Sequence, residues 1–208
     1  MAFATIDVTK GITGTIPVAN GGTGLTSGTT DQILKFTGTT TLASSSISTG
    51  KILQVQFDNK QSTGSSTALA SSGNWTDLLS VNITPSAASS KIMITAMVNT
   101  GASNSSDATC LLKCLRDSTQ IANGTASGSR ISTTSGKGTD NQGGHTQLME
   151  TVVWVDSPNS TSEITYKVQF AKRGTGGGTA YVGQSYDDSN DAEEQRTPCN
   201  LTLMEIGA

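Results

Sequence analysis

The sequence predicts an all-β protein in which an extended N-terminal arm precedes a two-layer β-sandwich. Serine and threonine supply more than a quarter of the 208 residues, whereas charged residues supply 14%. This composition favours strands and turns, because β-branched residues prefer strands and long helix-forming blocks are missing. From Lys51 onward, apolar and polar residues alternate with the period of a β-strand. We therefore predict an arm over residues 1–50 and a sandwich over residues 51–208.

The arm contains a segment, Gly14–Gly24, that cannot form a core by itself. Its sequence is Gly-Thr-Ile-Pro-Val-Ala-Asn-Gly-Gly-Thr-Gly, and it offers only Ile16, Val18 and Ala19 for burial. One copy buries too little surface to offset the entropy lost in ordering its backbone. Several copies wound around a shared axis would let Ile16 and Val18 cover each other. The segment therefore indicates a fibrous oligomer rather than a globular monomer.

Eight strands are predicted after the arm, separated by turn-forming residues. In the third strand, Met93, Thr95 and Met97 lie between the apolar positions, so we expect both faces of this strand to be buried. Eight short strands with turns between them fit a sandwich of jelly-roll type. The residues that define the strands are Leu53/Val55/Phe57, Leu79/Val81/Ile83, Ile92/Ile94/Ala96/Val98, Ala108–Leu115, Leu148–Val155, Ile164/Tyr166/Val168/Phe170, Ala180–Tyr186 and Leu201–Ile206.

The segment Asp117–Thr146 is too long for a loop without structure of its own in a compact domain. It contains Asn123–Gly124, a dipeptide that favours a hairpin turn. We therefore predict a hairpin there, with Ser129–Thr133 as a short return strand.

The three cysteines are predicted to be buried free thiols, and no metal site is predicted at them. Cys110 and Cys114 fall four residues apart in one predicted strand, so they share a face but are separated by about 13 Å. That distance is too long for a disulfide or for two ligands of one zinc ion. The third cysteine is Cys199.

No catalytic residue, cofactor or enzymatic activity is predicted. The only histidine, His145, lies in a Gly-rich loop, and the chain has no Gly-X-Ser-X-Gly motif. The segment Gly174–Thr179 looks like a phosphate loop, but β-branched and aromatic residues follow it, so a hairpin loop between the sixth and seventh strands fits better. The carboxylates near predicted strands, Asp77, Glu150 and Glu205, are not brought together by the pattern.

The densest acidic cluster lies between the seventh and eighth predicted strands. This segment, Tyr186–Glu194, is interpreted as a solvated loop, and no metal is assigned to it. Oxygen atoms of Asp187, Asp188, Asn190 and Asp191 leave calcium binding as an alternative, although their spacing does not match a calcium-loop pattern.

The charge and hydropathy patterns exclude two classes of partner. The net charge is −3 and the basic residues are scattered, so we predict no nucleic-acid binding. No apolar run reaches the eighteen or so residues that a membrane helix needs, so we predict no membrane insertion. The N-terminus has neither a basic start nor a long apolar run, so we expect folding in a cytoplasm without a secretory signal.

Three segments resemble parts of bacteriophage tail-fibre proteins. Pro17–Gly24 looks like their Pro-Val-Ala-Asn-Gly-Gly-Thr-Gly element, and Asp31–Gly38 is similar to the stretch that commonly follows it. Leu201–Ile206 resembles the last strand of fibre-tip domains in phages of aquatic bacteria. The resemblance implies a homotrimeric virion fibre that is assembled in the host cytoplasm. Its arm would attach to another virion protein, and its C-terminal jelly-roll knob would face outward.

The family fixes no functional residues, and this chain has one short shaft segment. A short tail fibre, a head fibre, and a capsid or baseplate decoration protein without receptor binding therefore remain open. For a fibre, we expect the loops near the sixth, seventh and eighth strands to bind a host cell-surface glycan or protein, because loops often carry function. The candidate receptor-binding residues are Arg173, Tyr181, Tyr186, Asp187 and Asp188. The rings of the two tyrosines could stack on sugar rings.

Overall fold

The chain divides into two compact units, residues 1–49 and residues 50–208. Apart from Thr23, the Pro17–Gly24 element lies outside the described residues, as do Thr175 and Gly176 in the predicted hairpin loop. A computed structural model describes residues 23, 29, 32–39, 41–46, 50–102, 109–136, 145–174 and 177–207.

The described part of the first unit is a β-hairpin that the sequence analysis did not predict. Strands β1 (Ile33–Phe36) and β2 (Leu42–Ser45) pair in antiparallel fashion. The backbone N–H of Thr37 donates to the carbonyl oxygen of Thr41 at 3.0 Å and closes the loop. The large apolar side chains of β1 are exposed, and 63% of Phe36 is accessible to solvent.

The second unit is a sandwich of antiparallel strands, which confirms the all-β prediction. A single 3₁₀ turn, Ala70–Ser72, is the only helical element among the described residues. None of those residues belongs to a helix that is long and apolar enough to cross a membrane. The strands are β3 (Ile52–Lys60), β4 (Gly64–Ser66), β5 (Thr76–Ile83), β6 (Lys91–Ala102), β7 (Cys110–Arg116), β8 (Thr119–Ile121), β9 (Ser135–Gly136), β10 (Leu148–Asp156), β11 (Ile164–Lys172), β12 (Ala180–Val182) and β13 (Cys199–Ile206).

The strands form two layers. Sheet 1 has the order β3-β13-β6-β10. The short strand β12 pairs with the C-terminal end of β6, and β4 pairs with β12. Sheet 2 has the order β5-β11-β7-β8, with β9 also pairing with β7. Every sheet pairing is antiparallel, with Leu203 opposite Ile94 in sheet 1 and Val168 opposite Cys114 in sheet 2.

The two sheets bury the residues that point between them, as alternation with period two requires. At one end of this core lies a charged pair, in which Arg116 Nη1 donates to both carboxylate oxygens of Asp156 at 3.0 and 2.9 Å. The hydroxyl of Tyr166 donates to the same carboxylate at 2.6 Å, so the buried charge is paired and hydrogen-bonded. Among the largest fully buried side chains are Tyr166, Phe170, Leu79, Ile92, Ile94, Leu112, Leu201 and Leu203.

The three cysteines are buried and free, in agreement with the sequence analysis. Cys110 and Cys114 share the inward face of β7, and Cys199 begins β13. Burial raises the pKa of all three thiols, and that of Cys114 rises to about 12. These thiols therefore stay protonated near neutral pH and behave as small apolar side chains.

All eight predicted runs contain strands, but two predictions of where a strand lies are wrong. The seventh strand ends at Val182 rather than Tyr186, because Gly183 adopts a positive φ of 71° and turns the chain. No strand covers Ser129–Thr133, although the chain folds back and the N–H of Gly124 donates to the carbonyl of Thr133 at 3.1 Å. The residues that pair with β7 after this loop are Ser135–Gly136.

The third predicted strand, β6, is buried on one face only. Its inward side chains are fully buried, whereas Met93 and Thr95 are half-buried and 36% of Met97 is exposed. The prediction that both faces are buried is therefore wrong for β6, because no described strand of the second unit packs outside Met93–Met97. The apolar residues predicted to share a face of β3 are also exposed: Leu53, Val55 and Phe57.

The sandwich has two distinct ends. At one end, Ile206 pairs with both Ile52 and Lys91, and the chain enters the sandwich there at Gly50, so it is termed the Gly50 end. At the opposite end, β6 and β11 finish and β13 begins. The segment 183–198, which joins β12 to β13, lies at this end. It is termed the crossover segment, and the end that carries it is the crossover end.

A buried carboxylate holds the Gly50 end together. Glu205 is fully buried, and its Oε1 accepts hydrogen bonds from the Ser86 N–H at 2.7 Å and the Ser86 hydroxyl at 2.6 Å. Gln54 Nε2 donates to Oε2 at 2.6 Å. Burial alone would raise the pKa of Glu205, but these hydrogen bonds outweigh it and lower the pKa to about 2.

This network predicts acid-sensitive stability. Because the pKa of Glu205 is depressed in the folded state, its contribution is present above the ordinary value of 4.5 and is lost as pH falls towards about 2. Urea unfolding between pH 2 and pH 7 should show a decline in the free energy of unfolding that Glu205→Gln weakens. At pH 7 this substitution should cost roughly 1–3 kcal/mol, because it replaces an acceptor of buried donors. The exposed Glu163→Gln serves as the control, and equal pH profiles for wild type and E205Q would contradict the prediction.

Candidate functional site

The crossover segment is a loop whose base is closed by backbone hydrogen bonds. The N–H of Gly183 donates to the carbonyl of Asn99 at 2.8 Å, and the N–H of Thr197 donates to the carbonyl of Gly183 at 3.0 Å. A side chain at Gly183 would be strained by the positive φ, and its Cβ would lie 2.9 Å from the Thr197 oxygen. The first and last parts of the segment are therefore held together beside β6.

A second glycine lets the crossover segment lie directly on sheet 1. A Cβ atom at Gly101 of β6 would lie 2.5 Å from the carbonyl oxygen of Gln184 and 3.2 Å from the Cα of Ser185. Both Gln184 and Ser185 are buried as a result. Any side chain at position 101 would push the segment away, so this glycine positions the residues that follow.

The structure brings the two candidate tyrosines into contact. Tyr181 lies on β12 and Tyr186 on the crossover segment, and their ring centroids are 5.9 Å apart with an interplanar angle of 60°. This edge-to-face arrangement is one that aromatic rings prefer. Both tyrosines are half-buried. Each ring is therefore braced by the other while part of it remains accessible.

A histidine from another part of the chain meets the acidic cluster. His145 Nδ1 lies 2.5 Å from Glu194 Oε1, and Ser185 Oγ donates to Glu194 Oε2. The Glu194 side chain is 3% exposed, whereas that of His145 is 51% exposed. A hydrogen bond with Glu194, together with the charge of that carboxylate, raises the pKa of His145. The imidazolium therefore stabilises a nearly buried carboxylate.

These residues form one set with metal-ligand chemistry. Potential ligand atoms of His145, Asp187 and Glu194 lie within 4.8 Å of one another, the single such set of three among the described residues. One ring nitrogen and two carboxylate oxygens are ligands that zinc accepts. Of the four residues considered for calcium, only Asp187 belongs to this set. The contacts of the loop also account for the cluster without an ion, since His145 is a cation when protonated.

The other candidates take different positions. Asp188 binds Arg196 through two hydrogen bonds, from Nε at 3.1 Å and from Nη2 at 2.7 Å. A ligand that meets Asp188 would therefore also meet Arg196, whose side chain is 63% exposed. Arg173 is exposed and follows β11 in sheet 2, whereas the other four candidates belong to β12 or the crossover segment. Its backbone N–H donates to the carbonyl of Thr109 at 2.9 Å.

Three residues of this site were missed by the sequence analysis. His145 was interpreted as a solvated loop residue, and neither Glu194 nor Arg196 was selected as a candidate. The contact between His145 and Glu194 spans 49 residues, and no local pattern reports such a pairing. The contact between Asp188 and Arg196, which are eight residues apart within one loop, could have been predicted more easily from the sequence.

No protein-family model matches the sequence, and no curated protein matches it. Among solved structures, the chain is similar to the D431N mutant VP2 protein of infectious bursal disease virus in T=1 particles, at 14% identity and a TM-score of 0.38. That match covers 86% of this chain and 41% of the other. The structure of the Gx strain of infectious bursal disease virus matches at 16% identity and a TM-score of 0.34, covering 86% of this chain and 43% of the other. The chain thus spans about two fifths of the length of those proteins, and these similarities are too weak to assign a function.

The raised pKa of His145 predicts a pH-dependent crossover segment. Its contribution is fully present below the ordinary histidine value, near 6.5, and is lost as pH rises through the raised pKa of the folded state. Hydrogen exchange corrected for intrinsic rates should therefore show decreasing protection of residues 183–198 at alkaline pH, and His145→Gln should remove this dependence. Arg196→Ala breaks a contact of the same loop that does not involve His145, so it should lower protection and leave the pH dependence in place. An NMR titration that gives His145 an ordinary or lowered pKa would contradict the prediction.

Proposed function

We propose that this protein is a structural component of a phage virion, a short homotrimeric fibre whose C-terminal knob binds the host surface. The observation that carries the proposal is the tail-fibre-like Pro17–Gly24 element placed ahead of a separate β-sandwich unit. An arm that cannot bury itself and a unit with its own core are the two parts that an attachment fibre requires. The arm is proposed to bind another virion protein.

The strand order supports a jelly-roll knob. The principal strands along the chain are β3, β5, β6, β7, β8, β10, β11 and β13, numbered here one to eight. They then lie in the order 1-8-3-6 in sheet 1 and 2-7-4-5 in sheet 2. This is the order of a double Greek key, an architecture that recurs in viral capsid and lectin domains. A fold that is common to many functions supports a virion role but does not establish it.

The position of the candidate residues supports host contact at the crossover end. The chain enters the sandwich at Gly50, and the crossover segment lies at the other end of the same strands. Tyr181 and Tyr186 offer aromatic rings there, while Asp187 and the pair of Asp188 with Arg196 offer hydrogen-bonding groups. Aromatic faces beside a few fixed polar groups suit the apolar and hydroxyl-bearing sides of a sugar. The proposed ligand is therefore a host cell-surface glycan, or a protein that presents equivalent groups.

The proposal predicts that the crossover end is required for adsorption. Fluorescently labelled full-length protein should bind cells of the susceptible host, and Tyr186→Ala combined with Asp187→Ala should weaken that binding by about tenfold or more. The exposed Glu163→Ala, in the loop between β10 and β11 at the Gly50 end, should leave binding unchanged.

Two outcomes would reject the fibre function. Adsorption that is unaffected by the double substitution would exclude this site. If the wild-type protein binds no host cells but stabilises particles against heat, the protein is a decoration protein instead.

A further inference from the structure

The exposed apolar side chains of the sandwich are concentrated on one sheet. Among the described residues of the second unit, nine large apolar side chains are exposed, and all nine lie on β3, β6 or β10 of sheet 1. Phe57 and Val153 are each 65% exposed, and Met149 is 60% exposed. Isolated exposed apolar residues are ordinary, but a contiguous apolar surface marks an interaction site.

The strand register brings four of these nine residues into two rows across the sheet, whereas Trp154 pairs with the inward-pointing Ile94. Two rows of paired, outward-pointing side chains cross sheet 1 from edge to edge. One row consists of Val55, Met204, Met93 and Val155. The next row consists of Phe57, Thr202, Thr95 and Val153. Neither row contains a charged side chain. The whole outer face of β3, β13, β6 and β10, in which both rows lie, is termed the four-strand face, and it also carries Met97 and Met149.

The pattern of β3 is inverted relative to an ordinary outer strand. Gln54, Gln56 and Asp58 pair with the inward residues of β13, so they point towards the sandwich. The apolar Val55 and Phe57 point away from it. A strand that faced water on its outer side would show the opposite pattern. The sequence of β3 is therefore matched to an apolar environment outside the single chain.

Hydrogen bonding shows that this inversion is specific. Gln54 Nε2 donates to Glu205 Oε2 at 2.6 Å, and the carboxylate of Asp58 accepts from the Ser80 N–H of sheet 2 at 3.0 Å. A shift of β3 by one residue would break both contacts and place Val55 and Phe57 inside. The polar side chains thus fix the register that leaves the apolar ones outside.

The outer face of sheet 2 provides a contrast within the same molecule. Asp77 accepts hydrogen bonds there from Lys167 Nζ at 3.1 Å and from Gln169 Nε2 at 2.5 Å. Thr165 Oγ1 donates to Asn82 Oδ1 at 2.9 Å on the same face. These charged and hydrogen-bonded rows are typical of a sheet surface in water. Among the described residues, the two apolar rows on the outer face of sheet 1 contain no such ion pair or side-chain hydrogen bond.

We infer that the four-strand face is the subunit interface, covered by the same face of further copies of this chain. Four strands spaced about 4.8 Å apart, over a strand length of about 26 Å, give roughly 500 Å² per subunit. Two such faces in contact remove roughly 1,000 Å² from water, the lower limit for a specific interface. The two uncharged rows within this face match their own copy without needing opposite charges. This inference rests on the proposed homotrimer, in which three such faces would enclose a common core around the axis.

The methionines strengthen the argument and supply a probe. Four of the five methionines in the chain occupy outward positions on sheet 1: Met93, Met97, Met149 and Met204. Methionine side chains adapt to irregular apolar surfaces and are common at interfaces. Their sulfur atoms also oxidise readily when they are accessible. Oxidation therefore reports whether this face is covered.

Charge substitution in the full-length chain tests the interface. Sedimentation of the wild type should give about 64 kDa, three times the 21.3 kDa of one chain. Val55→Glu combined with Val153→Glu should give a folded monomer, because both positions are exposed within the chain but buried in the assembly. Ser157→Glu combined with Thr161→Glu is the matched control, since both residues are exposed in the loop between β10 and β11 and belong to neither row, so the trimer should stay intact. A trimer that survives the double substitution would overturn the inference, as would a monomeric wild type.

A second measurement does not depend on the variants folding. Peroxide should oxidise Met97 and Met149 of the native wild-type protein about tenfold more slowly than those of urea-unfolded protein. Equal rates would show an open face and overturn the inference. If residues 50–208 alone, a unit with its own core, still sediment as a trimer but lose this protection while the full chain retains it, residues 1–49 cover the face and the inference is wrong. If the wild-type protein is a trimer that does not bind host cells, the receptor-binding proposal is rejected and the inferred interface is not.

Discussion

The backbone hydrogen-bond ladder of β6 is the interaction on which the rest of the structure depends. This strand pairs with β13 and β12 along one edge and with β10 along the other, so it lies at the centre of sheet 1. Its inward side chains supply much of the buried core, and its outward side chains join the two apolar rows. Its far end contains Gly101, against which the crossover segment packs. The core, the apolar surface and the candidate binding loop are therefore three consequences of one strand.

Much of the sandwich could be predicted because its strands follow a simple period. Ile164, Tyr166, Val168 and Phe170 alternate without interruption, and β11 has nearly the predicted bounds. The alternation does not indicate what covers each face of a strand. Met97 was therefore expected to be buried, although it is exposed. Side-chain hydrogen bonds between distant residues leave no periodic signal either, so the contact of His145 with Glu194 was not foreseen. The prediction of a return strand at Ser129–Thr133 was wrong because turn residues favour reversal of the chain but do not determine which residues pair afterwards.

The crossover segment shows how an acidic loop can be ordered without a large core. Asp188 binds Arg196, and Glu194 binds His145 and Ser185, so two carboxylates of the loop have charged or hydrogen-bonding partners. The backbone is tied to β6 at Asn99, and two glycines permit the close approach. Side chains held in this way lose less conformational entropy when a ligand binds. The tyrosine pair belongs to the same ordered loop, which suits recognition of a partner with little rearrangement.

The place of β13 in sheet 1 has a consequence for synthesis. This strand leaves the ribosome after every other strand of the sandwich, yet it lies between β3 and β6, two of the earlier strands. Chains that stop before β13 cannot align Val55 with Met93, since Met204 joins their rows. Chains that lack β13 therefore lack the continuous apolar surface, which forms only when β13 has paired with β3 and β6. With the inferred subunit interface on this face, recognition between copies would have to wait until β13 is translated, and chains without β13 would be kept out of the assembly.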